Sequence, residues 1–117
     1  PYVVIHANHA QEIDERVENS LKKMIQSGIV VLNQSVFLRG INDNFQALYD
    51  LSERLINIGV VPYYLHQLDR TQGVAHYESQ VSIGKELIEK LRDHLPGYAV
   101  PRFAVEEPGK GSKTILA

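Results

Sequence analysis

Residues 29–68, IVVLNQSVFLRGINDNFQALYDLSERLINIGVVPYYLHQL, decide the fold. Ile29 to Leu38 is rich in β-branched residues and reads as a strand, and Val60 to Leu68 reads as another. Between them Phe45, Leu48, Leu51, Leu55 and Ile58 recur at the spacing of one helix face, with Asn42 or Asp43 placed to cap its start and Gly59 to end it. Working outward, YVVIHAN (Tyr2 to Asn8) is a buried-strand pattern. Gln11 to Ser27 carries Ile13, Val17, Leu21, Met24 and Ile25 on one helical face before Gly28 stops it. On the other side a polar connection, Asp69 to Gln80, leads through Val81 or Ser82 to a helix bearing Ile83, Leu87, Ile88 and Leu91. Pro96 and Gly97 end that helix. Tyr98 to Val105 is a fourth strand, which Pro101 confines to an edge or end position.

The order β-α-β-α-β-α-β, with strands that lack polar alternation, predicts an α/β fold of parallel strands covered on both faces and joined by right-handed crossovers. It is a layer or part of a barrel. Short helix-to-strand connections against longer strand-to-helix ones place the working face at the strand C-termini. Residues 1–105 form the partial barrel, three βα units plus a final strand, and residues 106–117 form a Gly-rich tail.

The chain has 117 residues, 44% hydrophobic and 22% charged, with net charge −2 and no cysteine. Those values suit one ordinary globular domain with a modest core. Dispersed basic residues argue against a nucleic-acid partner. The absence of a membrane-length apolar run or a charged leader predicts a cytoplasmic protein without membrane contact. Lack of cysteine excludes disulfides and thiolate metal ligands within the chain. A start at Pro1, running at once into a strand, reads as a piece of something longer.

Polar residues gather where strands end: His6, Asn8 and His9; Asn33, Gln34 and Arg39; His66, Gln67 and Asp69; and Glu106. In a parallel barrel such positions converge on one bowl. His6 and His9 lack helical i,i+4 spacing and a third ligand, so hydrogen bonding is preferred to metal, and no metal site is expected here. His6 stands evenly between a ligand role and a structural one. One of Asn33 and Gln34 must face inward, where its amide needs either a ligand or a strand-to-loop bond. Asp69 is evenly balanced between ligand binding and an Asx-turn. Glu106 and Glu107 offer carboxylates to a cation, against the solvated state usual for glutamate. In PGKGSKT, Lys113 has only a superficial likeness to a phosphate-binding loop, because the spacing fails and no helix follows. Its competing reading is a frayed end.

Taken together, HANHAQE, LNQSVFLRGINDN, VPYYLHQLDRTQGVAHY, GYAVPRF and PGKGSKT resemble the C-terminal half of the lysine 2,3-aminomutase family over essentially the whole chain. The tail after Lys113 looks most like the bacterial branch that supplies (R)-β-lysine to elongation factor P. The resemblance implies a partial, TIM-like radical S-adenosylmethionine barrel with pyridoxal phosphate and a [4Fe–4S] cluster, moving the α-amino group of lysine to the β-carbon. By that resemblance Lys113 matches the lysine that binds pyridoxal phosphate, and His6 and Gln34 match contacts of S-adenosylmethionine. His66 occupies the place of a tyrosine near the pyridoxal ring. Asp69 and Glu106 match acids that hold the distal ammonium of substrate lysine, Glu106 replacing the family's usual aspartate. The cluster motif CxxxCxxC is absent, so the chain reads as a C-terminal fragment, inactive alone, whose cut barrel is expected to self-associate. Two other readings are a structural remnant that binds nothing, and a small α/β protein binding a phosphorylated metabolite.

Overall fold

The computed structural model describes residues 1–68, 74–106 and 113–117, and of residues 74–79 and 106 the backbone only. Among them the chain runs β1 (Tyr2–Ile5), α1 (Glu15–Gln26), β2 (Val30–Val36), α2 (Phe45–Ile58), β3 (Val61–Gln67), α3 (Val74–His94), β4 (Arg102–Glu106) and β5 (Lys113–Ile115), with 3₁₀ turns at Ala10–Glu12 and Gly97–Ala99. The β-α-β-α-β-α-β order is the expected one. Three local differences have physical causes. α3 begins at Val74, inside the stretch read as a polar connection, because Ala75, Glu78 and Gln80 are good helix formers with no breaker after Gly73. Residues 97–99 turn rather than extend, and β4 starts directly after Pro101, as proline's missing N–H requires. The end of the tail is a strand.

Helix boundaries follow from side-chain caps. Asp14 accepts from Val17 N at 2.9 Å to start α1. Asn44, rather than Asn42 or Asp43, starts α2 by accepting from Ala47 N at 2.9 Å. Gly59 closes α2 in the left-handed conformation, φ 107°, with its N–H and that of Val60 both reaching Leu55 O. Asp43 instead accepts from Gly40 N, and the buried Asn42 is a pin: its side chain accepts from Leu38 N and donates to Asn8 O and Val36 O. It ties the loop after β1 to the loop after β2.

The sheet order is β1-β2-β3-β4-β5, the first four strands parallel and β5 antiparallel at the far edge. Because each crossover steps to the next strand in the same direction, right-handed connections place every helix on one face. Sequence reading expected cover on both faces. Instead β2 alternates, with Val31, Asn33 and Ser35 buried and Leu32, Gln34 and Val36 only half-buried on the face away from the helices. Among the described residues no helix lies on that second face.

Two apolar clusters fill the covered side. One joins Ile13, Leu21, Val31, Leu51 and Leu55; the other joins Phe37, Leu48, Leu65, Ile88, Leu91 and Phe103. Outside them, Glu18 of α1 bridges Lys22 and Arg54, and Arg54 also donates to Ile13 O. Hydrogen bonds from Lys22 and then Arg54 hold the Glu18 carboxyl below the usual carboxylate range, so this link contributes above that range and is lost as acid protonates Glu18. Among the described residues no helix is long and apolar enough to cross a membrane.

Gly84 of α3 is where helix and sheet come closest. A Cβ there would stand 2.4 Å from two ring atoms of Phe103, which is itself fully buried edge-on to Phe37. Alanine is the better helix former, yet Gly84→Ala is expected to destabilise the fold by about 1–3 kcal/mol through overpacking. Urea denaturation followed by circular dichroism measures it, and an unchanged or raised midpoint would contradict the close contact.

Candidate functional site

The uncovered sheet face becomes polar toward the strand C-termini. There a groove of about 500 Å³ is lined by His6, Gln34, Val36, His66, Gln67 and Lys113. Each arrives by strand geometry. Tyr2, Val4 and His6 follow one another at two-residue spacing from β1, Leu32, Gln34 and Val36 do so in β2, and Tyr64 and His66 in β3. Lys113 enters from the antiparallel β5, opposite Glu106 in register. Four of the candidate residues read from sequence thus line one space, although more than a hundred positions separate the first from the last.

The choice between Asn33 and Gln34 resolves by face. Asn33 is buried toward the helices, where its Oδ1 accepts from Ala7 N at 2.9 Å and its Nδ2 donates to Ala7 O at 3.1 Å. This is the strand-to-loop alternative. Gln34 faces the groove. Asn8 accepts from Val36 N at 2.9 Å, and His9 caps the 3₁₀ turn by accepting from Gln11 N on Nδ1. Those amides and His9 hold the loops that frame the groove. Among the described residues no cluster of three or more His, Asp or Glu side chains is arranged to hold a metal ion. Asp69 lies outside the described residues, and for Glu106 only the backbone position in β4 is described.

Sequence reading missed an aromatic row. The pairing of β2 with β3 slips between Asn33/Pro62 and Gln34/Tyr64, leaving Tyr63 as an extra residue. Such a bulge re-aims side chains, and Tyr63 and Tyr64 both come to line the same groove face. Their ring centroids are 4.3 Å apart, and Tyr64 lies 5.4 Å from the His66 ring. The Lys113 ammonium sits over Tyr64, 5.0 Å from the ring centroid. A second hollow of about 700 Å³, continuous through Gln34 and Lys113, runs down past this row to Arg102. Strict two-residue alternation allows only one of Tyr63 and Tyr64 on that face, so period alone could not have revealed the row. On the helix-covered side of β3, Gln67 is buried with its Nε2 donating to Leu68 O and to Gln80 Oε1 of α3, and among the described residues its Oε1 has no donor.

A mostly parallel sheet with helices on one face and an open, amine-bearing groove at the strand C-termini is an α/β segment whose candidate small-molecule site is that groove. No family model matches the chain. Relatives named L-lysine 2,3-aminomutase do: that of Escherichia coli K12 is 44% identical over 114 residues, covering 97% of this chain and 33% of the relative. The Clostridium subterminale protein is 43% identical over 109 residues, 93% of this chain and 26% of its own length, and the Methanococcus maripaludis protein 41% over 112, 96% and 26%. The chain belongs to the lysine 2,3-aminomutase family, as its motifs suggested, and spans between about a quarter and a third of the curated relatives it matches.

Proposed function

We propose that the chain forms the groove-lining C-terminal wall of a radical S-adenosylmethionine lysine 2,3-aminomutase, an isomerase that converts lysine to β-lysine. The observation that carries this reading is the meeting of His6, Gln34, His66 and Lys113 around one groove. The relatives' names support the reaction. The groove suits pyridoxal phosphate: a primary amine lies over an aromatic row. Lys113 would hold that cofactor beside Tyr64 and His66, and His6 and Gln34 would face S-adenosylmethionine. When bound, pyridoxal phosphate supplies a conjugated ring across which an unpaired electron can spread.

The chain's own residues do the rest of this wall's work. Lys113 offers an amine that can exchange with the amine of substrate lysine. Tyr63, Tyr64 and His66 present a π surface that displaces water from beside it. Asp69 and Glu106, by resemblance, clamp the distal ammonium, and two carboxylates around one ammonium select lysine over shorter or neutral side chains. The [4Fe–4S] cluster does not fit this chain, since cluster iron needs thiolates and the sequence has no cysteine. The 117 residues by themselves are therefore inactive as an aminomutase. The finer placement, a cytoplasmic enzyme whose (R)-β-lysine goes to elongation factor P, rests on the resemblance of the tail segment; the hand of the β-lysine made by the full-length enzyme tests it.

Incubation with pyridoxal phosphate, borohydride reduction and peptide mass spectrometry tests the site. The expected product is one adduct, on Lys113. Labelling scattered over surface lysines, or none, would sink the assignment.

A specific observation also favours self-association of the isolated chain. β1 is an open edge, and Tyr2 at 71%, Val30 at 54% and Ile115 at 47% exposure stand beside it or on the uncovered face. Unpaired edges and apolar faces attract a second copy. Light scattering at high concentration is expected to give a dimer or larger, and a strictly monomeric mass contradicts it.

A further inference from the structure

We propose that Tyr64 is the positioning residue for Lys113: its ring is the seat on which the lysine ammonium rests, aiming the amine into the groove. Three observations converge. The Lys113 Nζ lies 5.0 Å from the Tyr64 centroid, within the range at which a ring quadrupole attracts a cation. Tyr64 is itself braced by two neighbouring rings, Tyr63 at 4.3 Å and 53° and His66 at 5.4 Å and 34°. That bracing depends on the slip in β3, because regular alternation would send Tyr63 to the opposite face. The bulge therefore has a use: it puts a second ring beside the one that meets the amine.

The path between the two residues is also shaped. Tyr64 is on β3 and Lys113 on β5, with β4 between them. On that row β4 presents Arg102 in register with Tyr64 and then Ala104, which pairs with both His66 and Ile115. Ala104 is a small side chain with no exposed surface, so the Lys113 stem can cross above it toward the ring. A larger residue there would stand in the way.

An unsupported lysine on a sheet edge samples many rotamers, and each time its amine must find the groove again. Seating the ammonium on a braced ring removes most of that search before any ligand arrives. The ring needs no proton from the amine and makes no directional bond, so the amine can leave without a hydrogen bond being broken. The positioning claim stands on geometry alone; its consequence for capturing pyridoxal phosphate rests on the reading of Lys113 given above.

The test uses the 117-residue chain with its lysines reductively methylated with ¹³C, which keeps each amine cationic. The Lys113 N-methyl signal, assigned by its loss in Lys113→Arg, is expected upfield of the other lysines through the ring current, with nuclear Overhauser contacts to the Tyr64 ring. Tyr64→Phe keeps the shift. Tyr64→Leu moves the signal to the position of the exposed lysines, while circular dichroism and the melting curve show a folded chain. A wild-type signal at the exposed position without ring contacts overturns the proposal, whether or not Tyr64→Leu folds, and so does a shift that survives in a folded Tyr64→Leu. In parallel, borohydride trapping with pyridoxal phosphate should label Lys113 several-fold more slowly in Tyr64→Leu than in wild type or Tyr64→Phe. A ring-current shift with no Lys113 adduct supports the seat and removes the cofactor reading. An adduct formed equally fast in all three, with no shift, removes the seat and keeps the cofactor reading.

Discussion

Lys113→Ala is expected to abolish the borohydride-fixed pyridoxal phosphate adduct completely and, in the full-length enzyme, to lower turnover by roughly 10³-fold or more, the scale of deleting a covalent catalytic group. The reason is chemical rather than structural. An aldehyde forms an imine only with a primary amine that has a free lone pair, and among the described residues Lys113 is the amine lining the groove. Lys113→Arg makes the distinction sharp. A guanidinium keeps the charge and can still lie over Tyr64, but it stays protonated and does not add to a carbonyl. This variant should melt like the wild type and still give no adduct. Full labelling of either variant, at Lys110 for instance, would show that the amine of interest lies elsewhere.

Phe103→Ala is expected to cost about 3–5 kcal/mol, the usual range for emptying a buried phenylalanine site. Folded domains hold only about 5–15 kcal/mol in all, so much of the stability goes with one ring. Phe103 has no exposed surface, meets Phe37 edge-on at 5.6 Å and fills the space that the missing Cβ of Gly84 leaves. Urea unfolding gives the value, and a loss below about 1 kcal/mol would mean that the site collapses freely. Coupling supplies a check: in a Phe103→Leu background, Gly84→Ala should lose most of its penalty, since the two positions share one contact.

Much of the fold was legible because local signals agreed. α2 shows its apolar face at helical spacing and its Gly59 stop, and α1 its own face and Gly28 stop, so helix and strand assignments followed directly. The convergence of His6, Gln34 and His66 could be expected from strand ends in a parallel sheet, whereas Lys113, whose residue pattern also reads as a frayed end, was tied to them only by the family resemblance. What was not legible depended on contacts between distant residues. Asn33 and Gln34 are adjacent and chemically alike, and only the tertiary bonds of Asn33 to Ala7 separate their roles. The start of α3 at Val74 was hidden by polar composition. The slip at Tyr63 changes which face a side chain meets without leaving a mark in the residue pattern, so Tyr64 escaped notice. The family, by contrast, was readable from motif order because those motifs span nearly the whole chain.

The return of the chain as β5 has a consequence for how the amine is governed. Three residues pair with β4, and beyond them Phe103 N donates to Ala117 O while Phe103 O accepts from Leu116 N and Ala117 N. A strand this short at a sheet edge opens at a lower free energy than the core does, so its amides exchange with solvent through local rather than global unfolding. Lys113 therefore rides on an element with its own opening equilibrium, latched at one end to the backbone of the fully buried Phe103. Any molecule that engages Lys113 only in the closed state shifts that equilibrium toward closure by mass action. Occupancy of the groove and solvent protection of the terminal residues are then two readings of the same equilibrium.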